Sequence, residues 1–117
     1  MKYPESKLQQ SCVKWFRLQY REYDRLLFAI PNGGSRNIVT ARILQAEGVR
    51  AGTADLMLAI PKGKCPGLFI EMKTGKNKQT PEQIAFQQSV EKVGYQYIVI
   101  RSFDEFFIFV NSYLTQT

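Results

Sequence analysis

Three residues in this chain are of the right types and spacing to do metal-assisted acid chemistry together: Asp55, Glu71 and Lys73. Glu71 and Lys73 are two apart in the apolar run Leu68 to Lys73, so on a strand both side chains leave the same face. Phe69 shares that face, while Ile70 and Met72 point the other way into a core. A second apolar run, Asp55 to Ile60, precedes it, and Pro61-Lys62-Gly63-Lys64-Cys65-Pro66-Gly67 between them reads as a hairpin loop. If the hairpin turns about Gly63, residues equally far from it are paired, and Asp55 faces Glu71 with Cβ atoms ~5 Å apart. A slip of one residue would undo that pairing. Two carboxylates so placed repel each other. A divalent cation between them reverses the cost, because Mg²⁺ is typically held by one or two carboxylates together with substrate phosphate oxygens. Lys73 could then orient an attacking water or stabilise charge on a phosphate. The plainer alternative is an exposed Glu–Lys pair on an edge strand, which contributes little.

The rest of the composition narrows the chemistry. There is no histidine, which excludes Ser-His and Cys-His catalysis and zinc sites built on imidazole. Cys12 and Cys65 form neither a metal-binding spacing nor a disulfide framework and read as reduced thiols. Sixteen Lys and Arg against ten Asp and Glu leave a net charge of +6, which suits a polyanionic partner. The 117 residues predict a single domain over 1–117. No apolar run approaches the ~20 residues needed to span a bilayer. The start, MKYPESKLQQ, lacks a secretory apolar stretch, so a cytoplasmic location is expected.

The elements that must position these residues follow from periodicity. Leu8, Cys12, Trp15, Phe16 and Tyr20 recur at helical spacing within residues 5–22, after Pro4. Leu26 to Ile30 reads as a strand ending at Pro31, and Pro31-Asn32-Gly33-Gly34-Ser35 as a loop. A helix is expected over 37–47, with Gly48 as its stop. After the two strands of the hairpin comes a polar loop, Thr74 to Gln79. Thr80-Pro81-Glu82-Gln83 then carries every part of a capping box, opening a helix to about Val93 that Gly94 ends. A strand over Tyr97 to Arg101 and a helix from Ser102 or Phe103 through Tyr113 complete the chain. The order αβαββαβα predicts an α/β fold, a mixed β-sheet flanked by helices.

Four segments in that order match a known family. Gly48-Val49-Arg50-Ala51-Gly52-Thr53-Ala54-Asp55-Leu56, Phe69-Ile70-Glu71-Met72-Lys73 and Thr80-Pro81-Glu82-Gln83, with Pro31-Asn32-Gly33-Gly34 upstream, resemble the VRR-NUC branch of the PD-(D/E)XK nucleases. The resemblance covers nearly the whole chain and implies a restriction-endonuclease-like core. It implies a Mg²⁺- or Mn²⁺-dependent DNA endonuclease selective for Holliday junctions, flaps or forks, working as a homodimer. Asp55 and Glu71 would be metal ligands, Met72 would offer its backbone carbonyl, and Lys73 would be the catalytic lysine. Glu5 is similar to the family's acidic residue on the first helix, and Gln83 to its catalytic glutamine. Ala54 stands where the family often has proline, which supplies no ligand atom. Short single-domain relatives suggest by analogy a phage or mobile-element origin. The competing function is a catalytically silent DNA-binding module on the same fold.

Several of these residues have structural readings too. Gln83 completes a capping box with Thr80, and Glu5 in a first helical turn suits the helix dipole. Asn32, Gly33, Gly34, Arg36, Lys76 and Lys78 are candidate DNA contacts, and Lys62, Lys64 and Arg42 are similar cases whose plain reading is solvated loop charge. Trp15, Phe16, Phe86, Phe106, Phe107 and Phe109 follow helical spacing and are expected in the core. No major-groove reading motif is present, which predicts recognition of DNA shape over sequence.

Overall fold

A computed structural model describes residues 4–32 and 37–116. The helices are α1 (Pro4–Gln19), α2 (Ile38–Ala46), α3 (Pro81–Lys92) and α4 (Phe103–Leu114), and the strands are β1 (Leu27–Ala29), β2 (Leu56–Leu58), β3 (Leu68–Met72) and β4 (Gln96–Ile100). The order is the expected αβαββαβα, in a mixed sheet of strand order β1-β2-β3-β4. The first helix stops three residues earlier than its apolar spacing predicts, and a 3₁₀ helix over Arg21–Leu26 fills the gap. Such a turn is a common connector where an α-helix must end close to a strand.

Strand β3 lies inside the sheet, antiparallel to β2 and parallel to β4. All five of its residues are buried, so the edge-strand explanation for Glu71 does not hold. On one face, Cys12 and Phe16 of α1 and Phe106, Val110 and Tyr113 of α4 meet Leu56, Leu58, Leu68, Ile70 and Met72. On the other, Phe86 and Val90 of α3 cover Ala54, Phe69 and Tyr97. Trp15 lies edge-on to Phe103 and Phe106, each 6.0 Å away between ring centroids, and so ties α1 to α4. Phe107 departs from the expected core placement, being 41% exposed. Both cysteines are free, and burial raises the Cys12 thiol to about 12, which leaves it an inert core group.

The hairpin register is the expected one over its ladder: Leu56 pairs with Ile70, Met57 with Phe69 and Leu58 with Leu68, each equidistant from Gly63. The turn itself closes half a residue later, through Lys62 and Cys65, with Gly63 at φ 57°. Glycine adopts that left-handed conformation at the first central position without strain. The capping box of α3 is complete: Thr80 Oγ1 accepts from the Gln83 N–H and Gln83 Oε1 accepts from the Thr80 N–H.

Candidate active site

Asp55 stands one residue beyond the β2–β3 ladder, in a bend rather than in the strand. Its N–H donates to the Ile70 carbonyl at 3.0 Å, and its own carbonyl accepts from the Ile30 N–H at 2.9 Å. Its Oδ2 accepts from the Met72 N–H at 2.7 Å. The expected cross-ladder partnership with Glu71 is therefore replaced by a backbone-anchored carboxylate at the end of β3. Burial raises the Asp55 pKa above the ordinary range. The Met72 N–H opposes that rise, the charges of Glu71 and Glu5 add to it, and Lys73 opposes it.

Glu71 and Lys73 share a face as the strand period requires, and both are buried. Lys73 Nζ lies 3.5 Å from Glu71 Oε2, an ion pair. Glu71 Oε1 accepts from the Tyr97 hydroxyl at 2.5 Å and from Gln79 Nε2 at 3.0 Å. Oε2 has no hydrogen-bond partner among the described residues, although Glu71 is fully buried. A buried carboxylate oxygen met only by an ammonium at ion-pair distance, with no hydrogen bond, has capacity left for a further partner. With Asp55 held at the N–H of the next residue, Met72, the donor set is all oxygen, which suits a hard divalent cation such as Mg²⁺ or Mn²⁺.

Glu5 lines the same groove as Asp55, and its charge adds to the rise of the Asp55 pKa. Among the described residues no three His, Cys, Asp or Glu side chains gather as a metal cluster. Glu5 Oε2 accepts instead from the Thr74 N–H at 3.2 Å and from Asn77 Nδ2 at 3.0 Å, pinning the loop after Lys73 to α1. Gln83 is likewise committed to the helix cap. The glutamine that reaches Glu71 is Gln79, and with it comes Tyr97 from β4. Neither was among the candidates from the sequence. A tyrosine followed by three aliphatic residues in the strand was the available signal, but its partner depends on the parallel register that sets Phe69 against Tyr97.

Asn32 lies two residues after Ile30, whose N–H is bonded to the Asp55 carbonyl. Gly33, Gly34 and Arg36 fall outside the described residues. Lys76 and Lys78 are exposed on the loop that leaves β3 at the site. Lys62 and Lys64 occupy the hairpin turn, at the far end of β2 and β3 from the carboxylates. Arg42 is exposed on α2, a helix with no buried residue. A groove of 1060 Å³ runs between α1 and β1, lined by Glu5, Gln9, Lys14, Arg17, Ala29 and Asp55 among others. Asp55 thus borders the groove and also feels the charge of the buried Glu71–Lys73 pair.

Gly52 explains how the segment before Asp55 is placed. It has φ 81°, and a Cβ there would sit 2.4 Å from the Glu82 Cβ and 3.3 Å from the Gln83 nitrogen. The close approach locks the 50–55 segment onto the first turn of α3. Gly52→Ala combines a left-handed conformation with a steric overlap, and is expected to cost about 2–4 kcal/mol. A urea titration checks this, and loss of less than about 0.5 kcal/mol would contradict it.

A family model described as the VRR-NUC domain matches residues 1–104. A solved structure named as a VRR_NUC domain protein is similar to this chain, with a TM-score of 0.80 and 25% sequence identity, covering 94% of this chain and 87% of its own. No curated protein matches the chain significantly. No helix among the described residues is long and apolar enough to cross a membrane.

Proposed function

Because the chain belongs to the VRR-NUC family, a family of nuclease type, we propose that it is a divalent-metal-dependent endonuclease that hydrolyses phosphodiester bonds of branched DNA. One observation carries this reading: a fully buried glutamate whose Oε2 has no hydrogen bond and meets only a buried lysine, with a second carboxylate, Asp55, held by the N–H of the next residue, Met72. Such a group is expensive to bury and persists where function requires it.

Glu71 would offer Oε2 and Asp55 its free oxygen to the cation, with the Met72 carbonyl as a further ligand. When bound, Mg²⁺ or Mn²⁺ supplies Lewis acidity at the phosphate and makes a neighbouring water easier to deprotonate. Lys73 brings positive charge to the same face, where it orients the attacking water and offsets charge developing on the phosphate. Lys76 and Lys78, exposed beside the site, contact the DNA backbone and set its register without reading sequence. A two-fold symmetric homodimer of this nuclease domain suits the cutting of two strands at a junction, because it presents two equivalent sites.

The test is cleavage of labelled four-way junction, flap, fork, plain duplex and single-stranded DNA with Mg²⁺, Mn²⁺ or chelator. Branched substrates are expected to be cut at least about tenfold faster than duplex, only with metal, and not by Asp55→Ala. Cutting in chelator would remove the metal requirement. Equal rates on duplex would remove the selectivity. DNA binding without cutting under any condition would make the protein a silent binding module.

A further inference from the structure

The two donors on Glu71 do more than fill its hydrogen-bonding capacity. Both fall on the same oxygen, Oε1, and leave Oε2, which meets only the Lys73 ammonium at 3.5 Å, as the one atom Glu71 can give a metal ion. Each donor is itself fixed. Tyr97 sits on β4 in register with Phe69 and packs against Phe86, with ring centroids 6.2 Å apart. Gln79 Nε2 also donates to Gln87 Oε1 at 2.9 Å, and Gln87 Nε2 donates to Glu91 Oε2 at 3.1 Å. The Glu71 carboxylate is thereby fastened to the neighbouring strand and to two side chains on α3.

We propose that Tyr97 and Gln79 are positioning residues that confine Glu71 to one-oxygen coordination and so make the site discriminate against Ca²⁺. The inference rests on the metal-dependent reading above. Ca²⁺ takes roughly six to eight oxygens and readily uses both oxygens of a carboxylate, whereas Mg²⁺ demands a tight octahedron and accepts one. With Oε1 held by two donors, Glu71 fits the second demand and fails the first. Freeing Oε1 lets the carboxylate bind through both oxygens, and the larger ion gains. Partners one step removed from a cation typically change its affinity by about ten- to a hundredfold when removed.

The experiment is isothermal titration of Mn²⁺ and, separately, Ca²⁺ into the whole metal-free chain, for wild type, Tyr97→Phe and Gln79→Ala. Mn²⁺ stands in for Mg²⁺ as the octahedral ion. Each variant is expected to bind Mn²⁺ about tenfold more weakly while Ca²⁺ binding holds or strengthens, so the ratio of affinities moves toward Ca²⁺ by about tenfold or more. Equal weakening of both ions, as from general damage to the site, would overturn the proposal, and so would an unchanged ratio. Gln79 is half-buried in a loop, so its variant still decides the matter if Tyr97→Phe fails to fold. A wild-type chain that binds neither ion would sink the metal-dependent reading and this inference with it. A wild-type chain that binds Mn²⁺, with the ratio fixed across variants, would sink only the inference.

Discussion

Lys73→Met is expected to abolish DNA cleavage, by at least about a thousandfold, and to destabilise the protein by about 3–5 kcal/mol. The two effects have one cause. Lys73 and Glu71 are both buried, and their 3.5 Å ion pair is the only opposite charge on the open oxygen of Glu71 among the described residues. Removing the ammonium leaves a carboxylate in the protein interior with half of it unpartnered. Removing both charges should then recover stability, because a buried pair replaced as a unit is often neutral. The double variant Lys73→Met/Glu71→Gln is therefore expected to be more stable than Lys73→Met alone, and to remain inactive. Urea melts of the single and double variants measure this coupling directly. If the double variant is less stable than the single one, the ion pair does not govern stability here.

Asp55→Asn is expected to separate activity from stability in opposite directions. Cleavage should fall by at least about a thousandfold, since a neutral amide is a poor ligand for a hard cation. The metal-free protein should nonetheless become more stable at neutral pH. Burial, with the Glu71 and Glu5 charges adding, raises the folded-state pKa of Asp55 above its ordinary value. A carboxyl group shifted upward binds its proton more tightly when folded than when unfolded. Its contribution to stability is thus present at low pH and is lost as pH rises from the ordinary carboxylate pKa through the raised one. Above that window the wild type carries the full cost of an ionised Asp55, and Asn does not. Asn can still accept from the Met72 N–H, so the backbone anchor is kept. Adding Mn²⁺ should raise the melting temperature of the wild type and leave that of Asp55→Asn unchanged, as mass action requires of a ligand that binds only one of them. A variant less stable than wild type at neutral pH, without metal, would contradict the argument.

The reach of the sequence is clearest in β3 and α3. Alternation along Phe69-Ile70-Glu71-Met72-Lys73 put the two charges on one face because side chains alternate in any strand. Thr80-Pro81-Glu82-Gln83 determined its own cap, because the contacts span three residues. The hairpin ladder followed from Gly63, since a short turn leaves few registers. The element order and the VRR-NUC resemblance were legible for the same reason: each motif is local. By contrast, the 3₁₀ helix before β1 carries no periodicity that distinguishes it from the end of α1.

What tertiary structure decided lies between segments far apart in the chain. That β3 is interior, and so buries Glu71 completely, depends on β4 closing the side that the hairpin partner β2 leaves open. The bend that lifts Asp55 out of the ladder depends on Ile30 and Met72 as well as on its own residues. Glu5 is hydrogen-bonded to the loop at Thr74 and Asn77, across most of the chain, while its charge still reaches Asp55. Tyr97 and Gln79 reach Glu71 only through the parallel β3–β4 pairing and the packing of α3. Sequence period and turn chemistry act over a few residues, so they determined which groups share a face. Burial and the choice of hydrogen-bond partner are set by the packed whole, and the chain alone does not display them.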